Sequence, residues 1–394
     1  MLYILIALFV FFLSYYYDIA GRKQNKEFWY FFVLIVLIMV SGMRYRVGVD
    51  SIGANYVFYH ETPTFSKCLK ELLITEYPLW KLLNSLIFTI GGRWYWIQFV
   101  QAAFLNILLF RYFKRHCQYI FTCVFFYYIW LYAAINFEEM KASFAIVLSL
   151  YAYDYILERK FIKSTLLLVI GCLFHFSAIL VLPFAFMSFL RINSLGFALF
   201  IGSIILGSLI ITEFELFSLF FDYDDFLNQK AEDYSNSDMF FARENKNINY
   251  YIINILPTIL YPLVAFYYVK KRNEKLEMVR LEPYLLVGFI MVGISVSVII
   301  FYRYVNFYKA IFILFLSQFF VDFIKSNKAY SLVLSYLSIF LIFSLFIWNL
   351  QIDYSRRIDK FYPYSSVIER KVYKSKEHKF NENRPVPAPH PDEY

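Results

Sequence analysis

The stretch Gly42-Met43-Arg44-Tyr45-Arg46-Val47-Gly48-Val49-Asp50-Ser51 puts two guanidiniums and a carboxylate into one short loop, with a glycine between them. Arginine forks match phosphate oxygens in bidentate fashion, so the loop suits a diphosphate. Asp50, kept ionised by the neighbouring arginines, has the chemistry of a general base toward an incoming hydroxyl. A salt bridge that merely orders the loop accounts for the same residues, and both readings stay open. Further cations stand where apolar runs end: Arg93, Lys141, Arg303 and Lys309. An Arg or Lys at the centre of a membrane helix costs about 2.5–3.5 kcal/mol on insertion scales, so such residues near membrane depth serve pairing or function. Snorkelling to headgroup phosphates explains any one of them alone, but their recurrence in one plane less well.

His175 sits in Leu173-Phe174-His175-Phe176-Ser177-Ala178, where a long apolar run is interrupted. A lone His on an apolar face is more often a hydrogen-bonded packing residue than a ligand or base. Irregular backbone at membrane depth, however, is tolerated only beside protein or a wet cavity, which raises the functional reading, and both stay open. No second His or Cys has metal-ligand spacing, so no metal site is predicted. Asp222-Tyr223-Asp224-Asp225 reads as a solvated acidic loop and not as a cation site. The chain has no Walker loop, no GxGxxG and no serine elbow, and no cofactor is expected.

These residues must be positioned by a chain of 394 residues that is 60% hydrophobic and 23% aromatic but only 17% charged. Ordinary soluble domains are about 45–50% apolar, so lipid must solvate much of this surface, which argues against a soluble enzyme. The net charge of +8 is gathered in short clusters between apolar runs. That is a topology signal, and nucleic acid is excluded as a partner. Cys68, Cys117, Cys123 and Cys172 have unrelated spacings, which fits neither a disulfide framework nor zinc. The first apolar run has no basic segment ahead of it and no small-residue cleavage site, so it reads as a retained span that starts outside.

The pattern predicts an all-α, polytopic integral membrane protein. Candidate spans are 1–19, 28–43, 94–110, 119–135, 142–157, 164–190, 195–212, 248–269, 282–301, 305–324 and 330–349. The run 164–190 reads as two short helices meeting at His175, which gives about 11 to 12 transmembrane helices. The positive-inside rule then puts the clusters at Arg22, Arg111, Arg159, Arg191, Lys270 and Lys325 on the cytoplasmic side, and the acidic loop 213–247 on the other. Residues 66–92 must begin and end outside, as an amphipathic or re-entrant hairpin. Residues 1–350 thus read as one transmembrane domain with outer loops 44–92 and 213–247. Residues 351–394 form a polar tail, outside by parity and disordered from Asn383.

With these motifs in hand, the chain resembles the EpsG-like members of the Wzy polysaccharide polymerases, bacterial membrane proteins that join lipid-linked repeat units into long glycans. The resemblance runs over most of the chain. It rests on Arg44-Tyr45-Arg46-Val47-Gly48-Val49-Asp50, Glu76-Tyr77-Pro78-Leu79-Trp80, Asn136-Phe137-Glu138-Glu139-Met140-Lys141, Phe174-His175-Phe176-Ser177-Ala178, Arg303-Tyr304-Val305-Asn306-Phe307-Tyr308 and Pro363-Tyr364-Ser365. Lys141 stands where the family usually shows arginine. The resemblance implies a GT-C-like fold and glycosyl transfer, without metal or cofactor, at the outer face of the cytoplasmic membrane. The donor would be a glycan on undecaprenyl diphosphate. The acceptor would be a hydroxyl on an incoming undecaprenyl-diphosphate-linked oligosaccharide. Membrane lipids and a chain-length regulator would be further partners.

Under that resemblance Arg44, Arg46 and Arg303, helped by Lys141, Lys309 and Arg93, would hold the diphosphate, whose developing charge arginine can stabilise directly. Asp50, His175 and Glu138 are the candidates for the acceptor hydroxyl. Tyr45, Tyr304 and Trp94 would stack on sugar rings. Two other readings compete: a lipid-linked oligosaccharide flippase, which should carry charges through the full bilayer depth, and a membrane O-acyltransferase, which should pair its histidine with a nearby carboxylate.

Overall fold

The computed structural model describes residues 2–72, 75–181, 281–297, 301–325 and 363–370, together with Leu199, Gly202 and Ser203. The expected spans 248–269 and 330–349, all of 195–212 but those three residues, the loop 213–247 with its acidic cluster, and the tail from Asn383 lie outside the described residues. The chain divides into two compact units, one formed by Met1–Val181 with Phe320–Tyr394 and the other by Leu182–Phe319.

The first unit begins with α1 (Leu2–Leu13), prolonged by a π-wound turn Ser14–Ile19, and continues with α2 (Lys26–Gly42), α3 (Val49–His60), α4 (Phe65–Lys70), α5 (Pro78–Thr89) and α6 (Trp94–His116). Then α7 (Ile120–Tyr127) runs on through π-wound stretches Tyr128–Tyr132 and Ala134–Glu138, before α8 (Met140–Leu157), α9 (Phe161–Phe174) and a 3₁₀ turn Phe176–Val181. No strand occurs among the described residues. As the sequence predicts, the architecture is helical, and the helices Leu2–Ile19, Trp94–His116, Met140–Leu157 and Tyr304–Lys325 are long and apolar enough to cross a membrane. Shorter apolar helices span Ile120–Tyr132, Phe161–Phe174 and Glu282–Ile294.

Burial follows the helical period. Leu2, Leu5, Leu8 and Phe12 of α1 are exposed, as are Phe28, Phe31, Ile35 and Met39 of α2 and Ile162, Leu166, Val169 and Leu173 of α9. Each set recurs at three- or four-residue steps, forming an apolar stripe that points away from the protein. Contiguous apolar stripes with no protein cover require lipid as their solvent. The opposite faces, Ile6, Val10 and Leu13 on α1 and Val33, Leu37 and Val40 on α2, are buried. Helix α8 is covered nearly all round, from Met140 to Ile156, which makes it the central helix of the unit.

Three polar side chains inside this core pair with one another. Tyr127 Oη donates to Asn106 Oδ1 (2.7 Å), Asn106 Nδ2 to Asn136 Oδ1 (2.8 Å), and Asn136 Nδ2 back to Tyr127 Oη (2.9 Å). This closed ring ties α6 to both ends of the α7 extension.

The two ends of the unit differ in charge. At one end Arg115 and Lys160 hold Glu158 at 2.8 and 2.7 Å, and His116 meets Asp154 at 2.9 Å. Those partners hold the Glu158 carboxyl below the usual carboxylate range. This basic end carries the Lys/Arg clusters that follow α1, α6 and α8. At the other end α2 leaves and α6 enters, so residues 43–93 depart from and return to the same end. Helix α5, with Pro78 in its first turn, buries Trp80, Asn84, Ser85 and Ile87 and leaves its other face open. Within the expected outer loop 44–92, residues 49–60 form helix α3.

In the second unit α10 (Glu282–Ser297) packs against α11 (Phe301–Lys325) through Tyr284–Tyr308 (5.1 Å) and Phe289–Phe312 (5.8 Å) ring contacts. From Phe320 onward α11 belongs to the first unit, where Asp322 accepts from Tyr119 Oη at 3.0 Å.

Candidate functional site

The loop after α2 is shaped by two backbone positions that side chains rarely adopt. Arg46 has φ 50° and Gly48 φ 92°, ψ 155°, and between them they turn the chain into α3. A methyl group at Gly48 would lie 2.6 Å from the Phe137 carbonyl oxygen and 2.8 Å from Phe137 Cβ. The glycine in the Arg-Tyr-x-Val-Gly-x-Asp pattern is therefore required twice, by its dihedrals and by the close approach of the α7 extension.

Arg44 turns inward and is completely buried. Its Nε donates to Val47 O (3.1 Å), Nη1 to Ser41 O and Nη2 to Met140 Sδ (3.0 Å), and the guanidinium lies 5.0 Å from the centre of the Phe137 ring. A buried cation needs this many acceptors to offset its desolvation.

The C-terminal segment pairs with this loop. Tyr45 N–H donates to Ser365 O (2.8 Å) and Val367 N–H to Met43 O (2.9 Å), forming an antiparallel bridge between Arg44 and Ser366. Tyr364 Oη donates to Val40 O (3.1 Å), and its ring meets Tyr3 edge-on. A turn follows, closed by Arg370 N–H on Ser366 O (2.8 Å), with Arg370 at φ 48°.

Loop, α3, the start of α6 and the tail line a small cleft. Arg44, Arg46, Arg93 and Arg370 line it with Tyr45, Tyr59, Trp94, Tyr95, Asn55, Gln98 and Val367. Four of the lining residues are arginines, of which Arg44 keeps its guanidinium turned inward. Gln98 organises its floor: the amide oxygen accepts from Trp94 Nε1 (3.0 Å) and Ser51 Oγ (2.9 Å), and the nitrogen donates to Arg44 O (2.8 Å). Asn55 is buried, and its Oδ1 accepts no hydrogen bond. The combination of aromatic faces, arginines and a waiting acceptor suits a ligand that is anionic at one part and hydroxyl-rich at another.

A second group lies at the other predicted histidine. The ring of His175 stacks on Tyr77 (5.2 Å, 15°), and Lys141 Nζ lies 4.7 Å from the centre of the same Tyr77 ring. Tyr77 itself is left-handed at φ 53°, immediately before Pro78. His175 terminates α9 in extended backbone, and Ser177 N–H and Oγ both approach its Nδ1, at 3.3 and 2.6 Å. The two groups flank one apolar cluster containing Phe58, Trp80, Trp94, Met140 and Phe144, onto which Tyr59 and Tyr77 both pack.

The structure therefore brings together Arg44, Arg46, Arg93, Tyr45 and Trp94 in one cleft, and Lys141 with His175 in a neighbouring group. Asp50 is the second residue of α3, whose start abuts the stretch that ends in half-buried Glu138. Arg303, Tyr304 and Lys309 lie on α11 in the second unit, Tyr304 half-buried and Lys309 fully buried. Asn55, Tyr59, Tyr95, Gln98 and Arg370 were not anticipated. Among the described residues no group of three or more His, Cys, Asp or Glu side chains is close enough to hold a metal ion.

Apolar stripes on α1, α2 and α9, membrane-length helices and a charged cleft at one end define an integral membrane protein with a polar site at the edge of its bundle. The EpsG family model matches residues 27–366, and the chain belongs to that family of polysaccharide-polymerase-type membrane proteins. No curated protein and no solved structure matches the chain.

Proposed function

We propose that this chain is a polymerase that joins undecaprenyl-diphosphate-linked oligosaccharide repeat units into a surface polysaccharide, at the outer face of the bacterial cytoplasmic membrane. About 11 to 12 spans in a GT-C-like arrangement go with this reading. One observation carries it: the cleft lined by four arginines lies at the end of the helices opposite the Lys/Arg-rich loops. By the positive-inside rule the basic end is cytoplasmic, so the cleft opens on the side where lipid-linked units are displayed.

The acceptor hydroxyl oxygen attacks the anomeric carbon of the donor glycan, and the bond from that carbon to the diphosphate oxygen breaks. The departing diphosphate gains charge, which Arg46 and Arg93 stabilise in a site already organised for it. Arg44, held by the Val47 and Ser41 carbonyls and the Met140 sulfur, fixes the loop and adds its field. The hydroxyl proton goes to Asp50 or Glu138, near the start of α3 and the end of the α7 extension. Ser177 N–H can only donate, so Nδ1 of His175 accepts and the neutral ring carries its proton on Nε2, making His175 a donor to substrate oxygen. Asn55 Oδ1 accepts a sugar hydroxyl, and Tyr45, Tyr59, Trp94 and Tyr95 offer faces to sugar rings. Arg303, Lys309 and Tyr304 are assigned to the same substrates on the resemblance of their motif, and a chain-length regulator would be a protein partner.

The test is deletion of the gene followed by sizing of the cell-surface glycan, with Arg46→Ala and Arg93→Ala returned at normal membrane levels. Collapse of a polymer ladder to one capped repeat unit, unrestored by either variant, is expected. Lipid-linked units retained inside the cell would mean a flippase, and an unchanged ladder with altered acyl content an acyltransferase.

A further inference from the structure

Helix α5 has three faces. Trp80, Asn84 and Ile87 are buried against the protein. Lys81, Ser85 and Thr89 follow at four-residue steps as a polar flank, where α4 docks with the Phe65 N–H donating to Thr89 Oγ1 (2.8 Å). Leu79, Leu82 and Leu86, continued by Ile90 just past the helix end, form an apolar flank at three- and four-residue steps. Exposure rises along it, from half-buried Leu79 and Leu82 to Leu86 at 44% and Ile90 at 63%.

Two lipid-facing surfaces adjoin this flank. Gly92 lets the end of α5 close on α6: a methyl group there would lie 2.6 Å from Ile87 and 3.1 Å from the Trp96 ring. Trp96 opens the exposed stripe of α6, which continues through Phe99, Val100 and Ile107. Helix α5 also contacts α9, whose exposed stripe ends at Leu173, with Phe176 exposed just beyond. Apolar surface continuous with stripes solvated by lipid takes the same solvent. At 12 residues, about 18 Å, α5 is too short to cross a hydrocarbon core of about 30 Å. Tryptophan is enriched where membrane meets water, and Trp96 marks that level beside the end of α5. Charge does not select the lipid, because the exposed charged side chains between residues 61 and 90 balance, Lys67, Lys70 and Lys81 against Glu61, Glu71 and Glu76.

We propose that α5 is an interfacial helix, its flank of Leu79, Leu82, Leu86 and Ile90 immersed at the boundary of headgroups and acyl chains in the leaflet away from the basic end. Because α5 begins beside Tyr77, it sets the group of Tyr77, His175 and Lys141 at headgroup depth. That is the depth at which the phosphates of a lipid-linked substrate lie, a consequence that rests on the polymerase reading above.

The experiment uses the full chain with its native cysteines replaced by alanine, verified as monodisperse and reconstituted in vesicles of phosphatidylcholine alone or with phosphatidylglycerol. Spin labels are attached singly at Lys67→Cys, Glu76→Cys, Leu86→Cys and Ile90→Cys, with Ile107→Cys on the α6 stripe as the reference for the bilayer interior. Collision with oxygen and with a water-soluble nickel chelate gives the depth of each. Labels at Leu86→Cys and Ile90→Cys are expected about 5–10 Å into the boundary, with Lys67→Cys in water and Glu76→Cys at phosphate level, alike in both vesicles. Nickel access at Leu86→Cys and Ile90→Cys equal to that at Lys67→Cys would overturn the proposal in favour of an aqueous loop. Depth equal to that of Ile107→Cys would overturn it in favour of a re-entrant hairpin, and shielding from both reagents in favour of a contact with protein, such as a second copy. Immersion seen only with phosphatidylglycerol would mean a surface held by charge instead. A Glu76→Cys label deep in hydrocarbon would overturn the placement of the Tyr77 group. None of these measurements uses glycan elongation, so an unchanged glycan ladder after gene deletion would overturn the polymerase reading and leave the interfacial helix in place.

Discussion

Ser177 Oγ lies 2.6 Å from Nδ1 of His175, and the Ser177 backbone N–H approaches the same nitrogen at 3.3 Å. Because a peptide N–H cannot accept, Nδ1 is the acceptor and Nε2 the donor in the neutral ring. Glutamine projects its amide nitrogen to about the position of Nε2. His175→Gln should therefore keep polymerisation within about tenfold of wild type, while His175→Ala loses about 100-fold, the lower end of what a positioned proton-bearing group contributes. Chain elongation measured in membranes against pH checks this. A glutamine variant as inactive as the alanine variant would instead make the ring a proton carrier.

Gly48 carries the sharpest stability prediction. Its φ of 92° with ψ of 155° lies in a region essentially reserved for glycine, and the Phe137 carbonyl leaves no space for Cβ. Strain and overpacking together should make Gly48→Ala cost about 2–5 kcal/mol. Gly91 is the control: its φ is 74°, but a methyl group there meets nothing within 4 Å, so Gly91→Ala should cost only about 1 kcal/mol. Thermal unfolding of both variants in detergent reads the difference directly.

How far these features were legible in the sequence differs by residue. Arg44, Arg46, Arg93, Tyr45 and Trp94 lie where apolar runs stop, so breaks in hydropathy expose them. Residues 49–60 fall within the expected outer loop 44–92, an assignment by side of the membrane that does not resolve the helix bringing Asn55 and Tyr59 to the cleft. Arg370 was beyond local reasoning altogether. It reaches the cleft through a backbone bridge between Arg44 and Ser366, and strand pairing leaves no side-chain pattern when only a residue or two pairs. A signal lay in Pro363-Tyr364-Ser365, set in an aromatic and apolar stretch from Phe361 to Ile368. His175 was easier, since an interrupted apolar run marks a helix break, and α9 ends at Phe174.

The ring formed by Asn106, Tyr127 and Asn136 tests how polar side chains secure the core. Interhelical hydrogen bonds in membrane proteins average about 0.6 kcal/mol, because the unfolded chain also finds partners. A closed ring in a fully buried place should exceed that average, since removing one member takes a hydrogen bond from each of the other two. Asn136→Ala is expected to cost about 1–3 kcal/mol. Adding Asn106→Ala should then cost less than it does alone, because both variants break the same ring. A double-mutant cycle on thermal stability measures the coupling, and strict additivity would mean that the three groups act independently.

Tyr364 links the tail to pH. Burial pushes its phenol up to about 12, against a smaller opposing pull from the Arg44 guanidinium, and its hydroxyl donates to Val40 O. A pKa raised in the folded state means that the docked tail holds the proton more tightly than the free tail does. The stabilisation is therefore complete below pH 10 and is lost as pH rises from about 10 to 12, by about 2–3 kcal/mol. Tyr364→Phe removes both the hydrogen bond and the titration. It should weaken docking by about 1 kcal/mol at neutral pH yet flatten the alkaline loss. Hydrogen exchange at the Tyr45 and Val367 amides, which donate to Ser365 and Met43, reports docking directly. Protection of these amides that falls equally steeply with pH in wild type and Tyr364→Phe, after correction for the intrinsic exchange rate, would assign the alkaline transition to another group.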